Sequence, residues 1–214
     1  MAAIEDNISI LAREALRLHA GRGGARVLLA IAGAPGSGKS TIAEAVADSI
    51  NRDRPGLAAV FPMDGYHYDD HVLDAMGRRA HKGAPDTFDA HGLRHMLLRL
   101  KENAEETIAV PVFDRQIEIA RAGGRLIDRG TGIILCEGNY LLLRQPPWDR
   151  LKPIFDFAVF VDVTQAELRR RLTERWQGYG LSPEQIRFKL EENDLPNGVA
   201  IIEGSADPDL RLAN

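Results

Sequence analysis

Apolar positions recur along this chain with two distinct periods. Over residues 4–20, Ile4, Ile8, Leu11, Ala15 and Leu18 follow helical spacing with Arg13, Glu14 and Arg17 outside, which predicts an amphipathic helix ended by Gly21-Arg22-Gly23-Gly24. The apolar run Val27–Ala32 predicts a buried strand, and Ile42, Val46 and Ile50 mark one face of the helix after it. Beyond the turn Arg52-Asp53-Arg54-Pro55-Gly56, Leu57–Met63 predicts a second buried strand. Asp89–Lys101 predicts a helix with Leu93, Met96, Leu97 and Leu100 inward and Asp89 as its cap. Thr107–Val112 alternates as a strand does, whereas Ile117–Ile127 is ambiguous because Gly123-Gly124 interrupts it. Ile133–Cys136 reads as the clearest central strand, and Phe155–Val163 as another buried one. Thr164-Gln165-Ala166-Glu167 has capping-box spacing and opens an Arg-rich helix to Trp176, broken by Gly178-Tyr179-Gly180. Ser182-Pro183-Glu184-Gln185 opens the next helix, and Val199–Ile202 predicts a last short strand. Strands alternating with helices imply one α/β domain over residues 1–214, with a mostly parallel sheet and right-handed crossovers.

The segment between the first strand and its helix carries chemistry. Gly33-Ala34-Pro35-Gly36-Ser37-Gly38-Lys39-Ser40-Thr41 fits G-x-x-x-x-G-K-[ST] in the strand–loop–helix setting that motif requires. Gly36 and Gly38 let the backbone curl so that successive N–H groups converge on an anion at a helix N-terminus. Lys39 adds a full charge for the outer phosphates of a nucleoside triphosphate, and the Ser40 hydroxyl can join the shell of Mg²⁺. A triphosphate-bound Mg²⁺ also needs a carboxylate that ends an apolar strand, and Glu137 and Asp162 both qualify. Glu137 is preferred, because Gly138 permits close approach and Asn139 and Tyr140 extend a polar edge. Asp162 leads straight into a capped helix, which suits a structural role.

Residues 64–91 are crowded with Asp and His and poor in aliphatics. A polar excursion from the end of a strand is where an α/β fold places ligand groups. Asp64, at the start of it, is placed to orient an acceptor hydroxyl and take its proton. Arg169, Arg170, Arg171 and Arg175 lie on one predicted helix, with Arg171 and Arg175 on one face, and an arginine there can neutralise a phosphoryl group in transit. His67 and His71 have the i, i+4 spacing of a zinc pair, but no third ligand stands at a typical distance and the H-E-x-x-H Glu is missing.

Composition narrows the setting. Against 27 basic side chains stand 31 acidic ones, with no basic run, so nothing suggests a nucleic-acid footprint or a membrane-surface patch. The single cysteine, Cys136, excludes an internal disulfide and suits a reducing compartment. No stretch approaches the length of a membrane span, and the N-terminus lacks a signal-peptide pattern, so a soluble cytoplasmic protein is expected.

Taken in order, these pieces resemble the P-loop kinases of the phosphoribulokinase, uridine kinase and pantothenate kinase group, and within it a branch labelled fructose transport system kinases. The resemblance spans residues 25–205. It rests on Gly33–Thr41, Met63-Asp64-Gly65-Tyr66-His67, Lys82-Gly83-Ala84-Pro85-Asp86-Thr87-Phe88-Asp89, Pro111-Val112-Phe113-Asp114-Arg115, Leu135-Cys136-Glu137-Gly138-Asn139-Tyr140 and Asn193-Asp194-Leu195-Pro196-Asn197-Gly198. It implies a P-loop NTPase fold, a three-layer α/β/α sandwich with a helical lid at about residues 164–185. It implies transfer of the γ-phosphoryl group of ATP, with Mg²⁺, to a hydroxyl of a small acceptor such as fructose or a related sugar. Asp64 matches the catalytic carboxylate and Glu137 the acidic residue near Mg²⁺, beside Ser40. Lys39 with the rest of Gly33–Thr41 holds the nucleotide, and Arg171 and Arg175 match the lid. Asp64, Tyr66, His67, Lys82, Phe88, Arg115 and Asn139 fall on the acceptor side. Arg115 replaces the histidine of pantothenate kinases, and Asp64-Gly65-Tyr66 departs from the Asp-Ser-Phe-Tyr of uridine kinases. The implied partner is a small molecule, with neither nucleic acid nor membrane, and monomer and homodimer are both compatible. The alternatives are a kinase for pantothenate, a nucleoside or glycerate, or a nucleotide-switch NTPase. The chain carries neither the Asn-Lys-x-Asp motif of switch GTPases nor a Leu-Ser-Gly-Gly-Gln signature.

Overall fold

A computed structural model describes residues 2–214. The main sheet has five parallel strands: β1 (Val27–Gly33), β2 (Ala58–Pro62), β5 (Ile133–Gly138), β6 (Phe157–Asp162) and β7 (Leu210–Ala213), in the order β2-β5-β1-β6-β7. Two further strands, β3 (Thr107–Asp114) and β4 (Ile119–Asp128), form a separate antiparallel hairpin. The helices are α1 (Ala2–Gly21), α2 (Lys39–Asp53), α3 (Asp70–Ala75), α4 (Ala90–Glu102), α5 (Gln165–Gly178), α6 (Pro183–Lys189) and α7 (Leu195–Gly204).

β1 and β5 are buried along their whole length because both sheet faces are covered, which is why they read as continuous apolar runs rather than alternating ones. Alternation persists in where the side chains go. Val27, Leu29 and Ile31 join Leu11 and Ala15 of α1 and Ile42, Val46 and Ile50 of α2. Leu28, Ala30 and Ala32 face the opposite way, into a core with Leu93 and Leu97 of α4, Trp148, Phe160 and Ile201 of α7. Each fully buried Leu or Ile contributes about 1.5–3 kcal/mol relative to exposure, so these two layers hold the sheet between them. Among the described residues no helix is long and apolar enough to cross a membrane.

Most predicted caps form: Asp89 accepts the N–H of Gly92, Thr164 that of Glu167, and Ser182 with Gln185 closes a reciprocal capping box. Two elements differ from the sequence expectation. Val199–Ile202 is not a strand but part of α7, reached from α6 through a π-helical turn, Leu190–Asp194. The buried positions Asp194, Gly198 and Ile201 follow helical rather than alternating spacing, so a short apolar run on a helix face imitated a strand. The last strand is β7, which pairs with β6 at the sheet edge. The ambiguous stretch around Gly123-Gly124 is a strand whose register shifts opposite Pro111: Val110 faces Arg125, but Val112 faces Arg121. Pro111 has no N–H to give the ladder, and the irregularity absorbs it.

Candidate active site

β1 stands between β5 and β6, and a crevice opens outside the carboxyl ends of the parallel strands at such a point. The Gly33–Thr41 loop lies there. Gly36 and Gly38 adopt φ of 82° and 87°, and α2 starts at Lys39 with no side chain capping its first turn, so its N–H groups are open to an anion. Asn214 Nδ2 donates to the Ser37 carbonyl at 2.7 Å, and Arg171 Nη1 lies 3.5 and 3.4 Å from the carbonyls of Gly36 and Ser37. The buried Ser37 hydroxyl has no partner among the described residues.

Lys39 is buried, and burial pulls its ammonium below the usual range against the opposing charges of Glu137 and Asp64. Ser40 Oγ donates to Glu137 Oε2 at 2.9 Å. Burial pushes the Glu137 carboxyl up, and the Asp64 charge adds to this. The Asp64 and Glu137 charges act on each other, and Lys39 offsets part of both. A serine hydroxyl and a carboxylate are hard oxygen donors, and the residues present fit a divalent cation such as Mg²⁺.

Asp64 sits in the 3₁₀ turn Met63–Tyr66 that leaves β2, and Arg115, from the tip of the β3–β4 hairpin, donates to its Oδ2 at 2.6 Å. Burial works to raise the Asp64 carboxyl, but His67, Arg115 and Lys39 outweigh it and hold the group below the usual range. The His67 ring lies between Phe88 and Phe113, 3.9 and 4.7 Å between centroids. Its Nδ1 is 2.8 Å from the Asp64 carbonyl oxygen, which can only accept, so Nδ1 carries the hydrogen. Burial pulls the imidazole pKa down against the opposing charge of Asp64. Lys82 Nζ donates to Asp70 Oδ1 at 2.7 Å and to the Glu118 carbonyl at 2.6 Å, while Arg79 takes the other Asp70 oxygen at 2.5 Å. Asn139 has a buried Oδ1 with no partner among the described residues.

These groups line one cleft of about 130 Å³. It brings together Pro35, Lys39, Ser40, Asp64, His67, Lys82, Phe88, Arg115, Asn139 and Arg175, with Glu137 behind Ser40. Among the described residues Arg175 makes no ion pair, whereas Arg171 is bound to Glu167 at 2.7 Å and braces the loop. Arg171 is therefore not brought to the cleft. Nor is Tyr66, whose ring packs edge-on against Phe61 at 5.9 Å, on the side facing α4. Thr41 is exposed on α2. Asp162 is paired with Arg211 at 3.1 Å. Sequence reasoning missed Arg79, Trp176, Lys189, Asn193, Asp194 and Asn197, all in the cleft wall. For Asn193, Asp194 and Asn197 the available signal is the polar Asn193–Gly198 run. A larger groove of about 430 Å³ lies between α5 and α7, but its charged groups, Arg169 and Glu191, are paired to each other.

Residues 28–204 match the phosphoribulokinase/uridine kinase family. A Schizosaccharomyces pombe protein, provisionally named a uridine kinase, is 31% identical over 87% of this chain and 83% of its own length. A pantothenate kinase of Myxococcus xanthus is 29% identical over 78% of this chain but only 53% of its own. Among solved structures, a protein of Silicibacter sp. TM1040, provisionally named a fructose transport system kinase, superposes with a TM-score of 0.87 at 36% identity, covering 95% of this chain and 98% of that one.

Proposed function

Because the chain belongs to the phosphoribulokinase/uridine kinase family, we propose that it transfers the γ-phosphoryl group of ATP to a hydroxyl of a small, sugar-like acceptor. The P-loop kinase character follows from family membership; the acceptor is our reading. One observation carries it. Asp64 with its Arg115 partner lines the same small cleft as Lys39 and Ser40, and Ser40 is bonded to Glu137. In this reading the open amides of the loop and Lys39 take the phosphate chain, and Ser40 and Glu137 would hold Mg²⁺. Bound there, the ion offsets charge on the phosphates. Asp64 orients the acceptor hydroxyl and takes its proton as the new O–P bond forms. Arg175, unpaired in the cleft, neutralises charge on the group in transit. In this reading His67 and Asn139, both of which line the cleft, take hydrogen bonds from further hydroxyls of a polyol. A wall of this kind, and the provisional name of the Silicibacter protein, support a sugar over an acceptor with one hydroxyl.

Asp64→Asn tests the assignment. Phosphoryl transfer to a responsive sugar is expected to fall by about 10²–10⁴-fold with nucleotide affinity nearly intact. Equal loss of both would count against it. Lys39→Ala should weaken triphosphate binding and turnover together. Steady ATP hydrolysis that no sugar, pantothenate, nucleoside or glycerate stimulates would overturn the small-acceptor reading.

A further inference from the structure

Arg175 precedes Trp176 near the end of α5, and Trp176 is pinned from two sides. Its Nε1–H donates to Asp194 Oδ2 at 2.7 Å, and Lys189 Nζ stands 5.5 Å over its ring. Asp194 closes the π-helical turn Leu190–Asp194 and is only 8% exposed. Burial pushes its carboxyl up, opposed by the indole hydrogen bond and by the charges of Lys189 and Arg175. The neighbouring residue faces the other half of the site: Asn193 Nδ2 donates to the Lys82 carbonyl at 3.1 Å and Asn193 Oδ1 accepts from Asn197 at 3.1 Å. One turn therefore grips both the acceptor element and the helix that carries the cleft's unpaired arginine. A bland explanation is helix packing. An apolar side chain would serve that purpose without the desolvation cost of a buried carboxylate, and π turns inside helices occur frequently at functional sites.

We infer that Asp194 is a positioning residue: by holding the Trp176 indole N–H, it fixes the last turn of α5 so that Arg175 is presented to the γ-phosphoryl group. The inference rests on the kinase reading above and goes beyond it by assigning the 193–198 run a task in phosphate recognition.

The test needs no acceptor. Binding of ADP and of the non-hydrolysable β,γ-imido analogue of ATP, each with Mg²⁺, is measured by calorimetry. The proteins are the wild type, Arg175→Ala, Asp194→Ala, Asp194→Asn, Trp176→Phe and the double variant lacking both Asp194 and Arg175. Arg175→Ala is expected to weaken the analogue by about tenfold and ADP by less than about twofold, because only the analogue has a γ-group for the guanidinium. Asp194→Ala and Trp176→Phe should reproduce most of that selective loss. Asp194→Asn, which keeps an oxygen for the indole, should retain most of the wild-type preference. Removing Asp194 from a chain that already lacks Arg175 should cost nothing more, since coupled residues are non-additive. Loss that is equal for both nucleotides, no loss at all, or an undiminished further loss in the double variant would overturn the inference. If Asp194→Ala does not fold, Trp176→Phe and Asp194→Asn decide it by the same criteria. A wild type that binds neither nucleotide would instead sink the kinase reading itself.

Discussion

The Asp64–Arg115 pair has a pH signature. A carboxylate held below its ordinary pKa by a neighbouring guanidinium stays ionised in mild acid, so the acid limb of kcat/KM should lie low in the wild type. Arg115→Ala removes a stabilising charge, raises the Asp64 pKa, and should move that limb to higher pH; a pH profile of both proteins checks it. The same sign governs stability. A carboxyl with a folded pKa below its unfolded one contributes above the unfolded value and loses that contribution as pH falls through the folded one. Away from the cleft, Arg26 is buried with no carboxylate partner among the described residues. Its guanidinium donates to the carbonyls of Thr131, Leu100 and Asp128 at 2.8, 3.1 and 2.6 Å, tying α4 and the β4–β5 turn to the start of β1. Arg26→Met leaves those carbonyls without a donor and should cost about 2–4 kcal/mol in urea unfolding, with nucleotide affinity unchanged.

Two elements of the cleft meet closely at Gly65. A Cβ on Gly65 would lie 2.6 Å from the carbonyl oxygen of Pro111, so the turn bearing Asp64 and strand β3 touch backbone to backbone. Gly65→Ala must push the hairpin, and Arg115 with it, away from Asp64. The expected result is a raised acceptor KM and a lowered kcat with a smaller change in ADP affinity, measured by steady-state kinetics and calorimetry. Elements of this sort also show what was legible beforehand. β1, the loop, α2, β5 and the caps could be read because local rules and burial agree there: an apolar run, a glycine pattern, a capping side chain. α7 was misread because four consecutive apolar residues carry no period, and β7 was passed over because Leu210–Ala213 is short and lies at an edge. Asp64, Glu137 and Lys39 were found from strand-end position and motif. Asp194 and Trp176 were not, because a hydrogen bond between residues 18 apart, made across a π turn, leaves no local trace. The separation of Arg175 from Arg171 likewise depends on where the loop carbonyls and Glu167 stand in space.

For the whole molecule, ligands that bind the folded state raise its melting temperature by mass action. A hundredfold excess of the ATP analogue over its Kd adds about 2.7 kcal/mol. At this chain length that corresponds to a shift of about 5–10 °C. An acceptor screened on top of the analogue should add its own increment only if both halves of the cleft are occupied together, and Asp64→Asn should keep the analogue's shift. The architecture behind this has another consequence. The phosphate-binding half grows from the middle of a sheet buried on both faces, where any change disturbs two cores at once. The acceptor half leans on a two-strand hairpin that shares no ladder with that sheet. In the proposed reading, substitutions confined to that hairpin should therefore change which acceptor is taken while leaving nucleotide affinity and the sheet that carries the loop as they are.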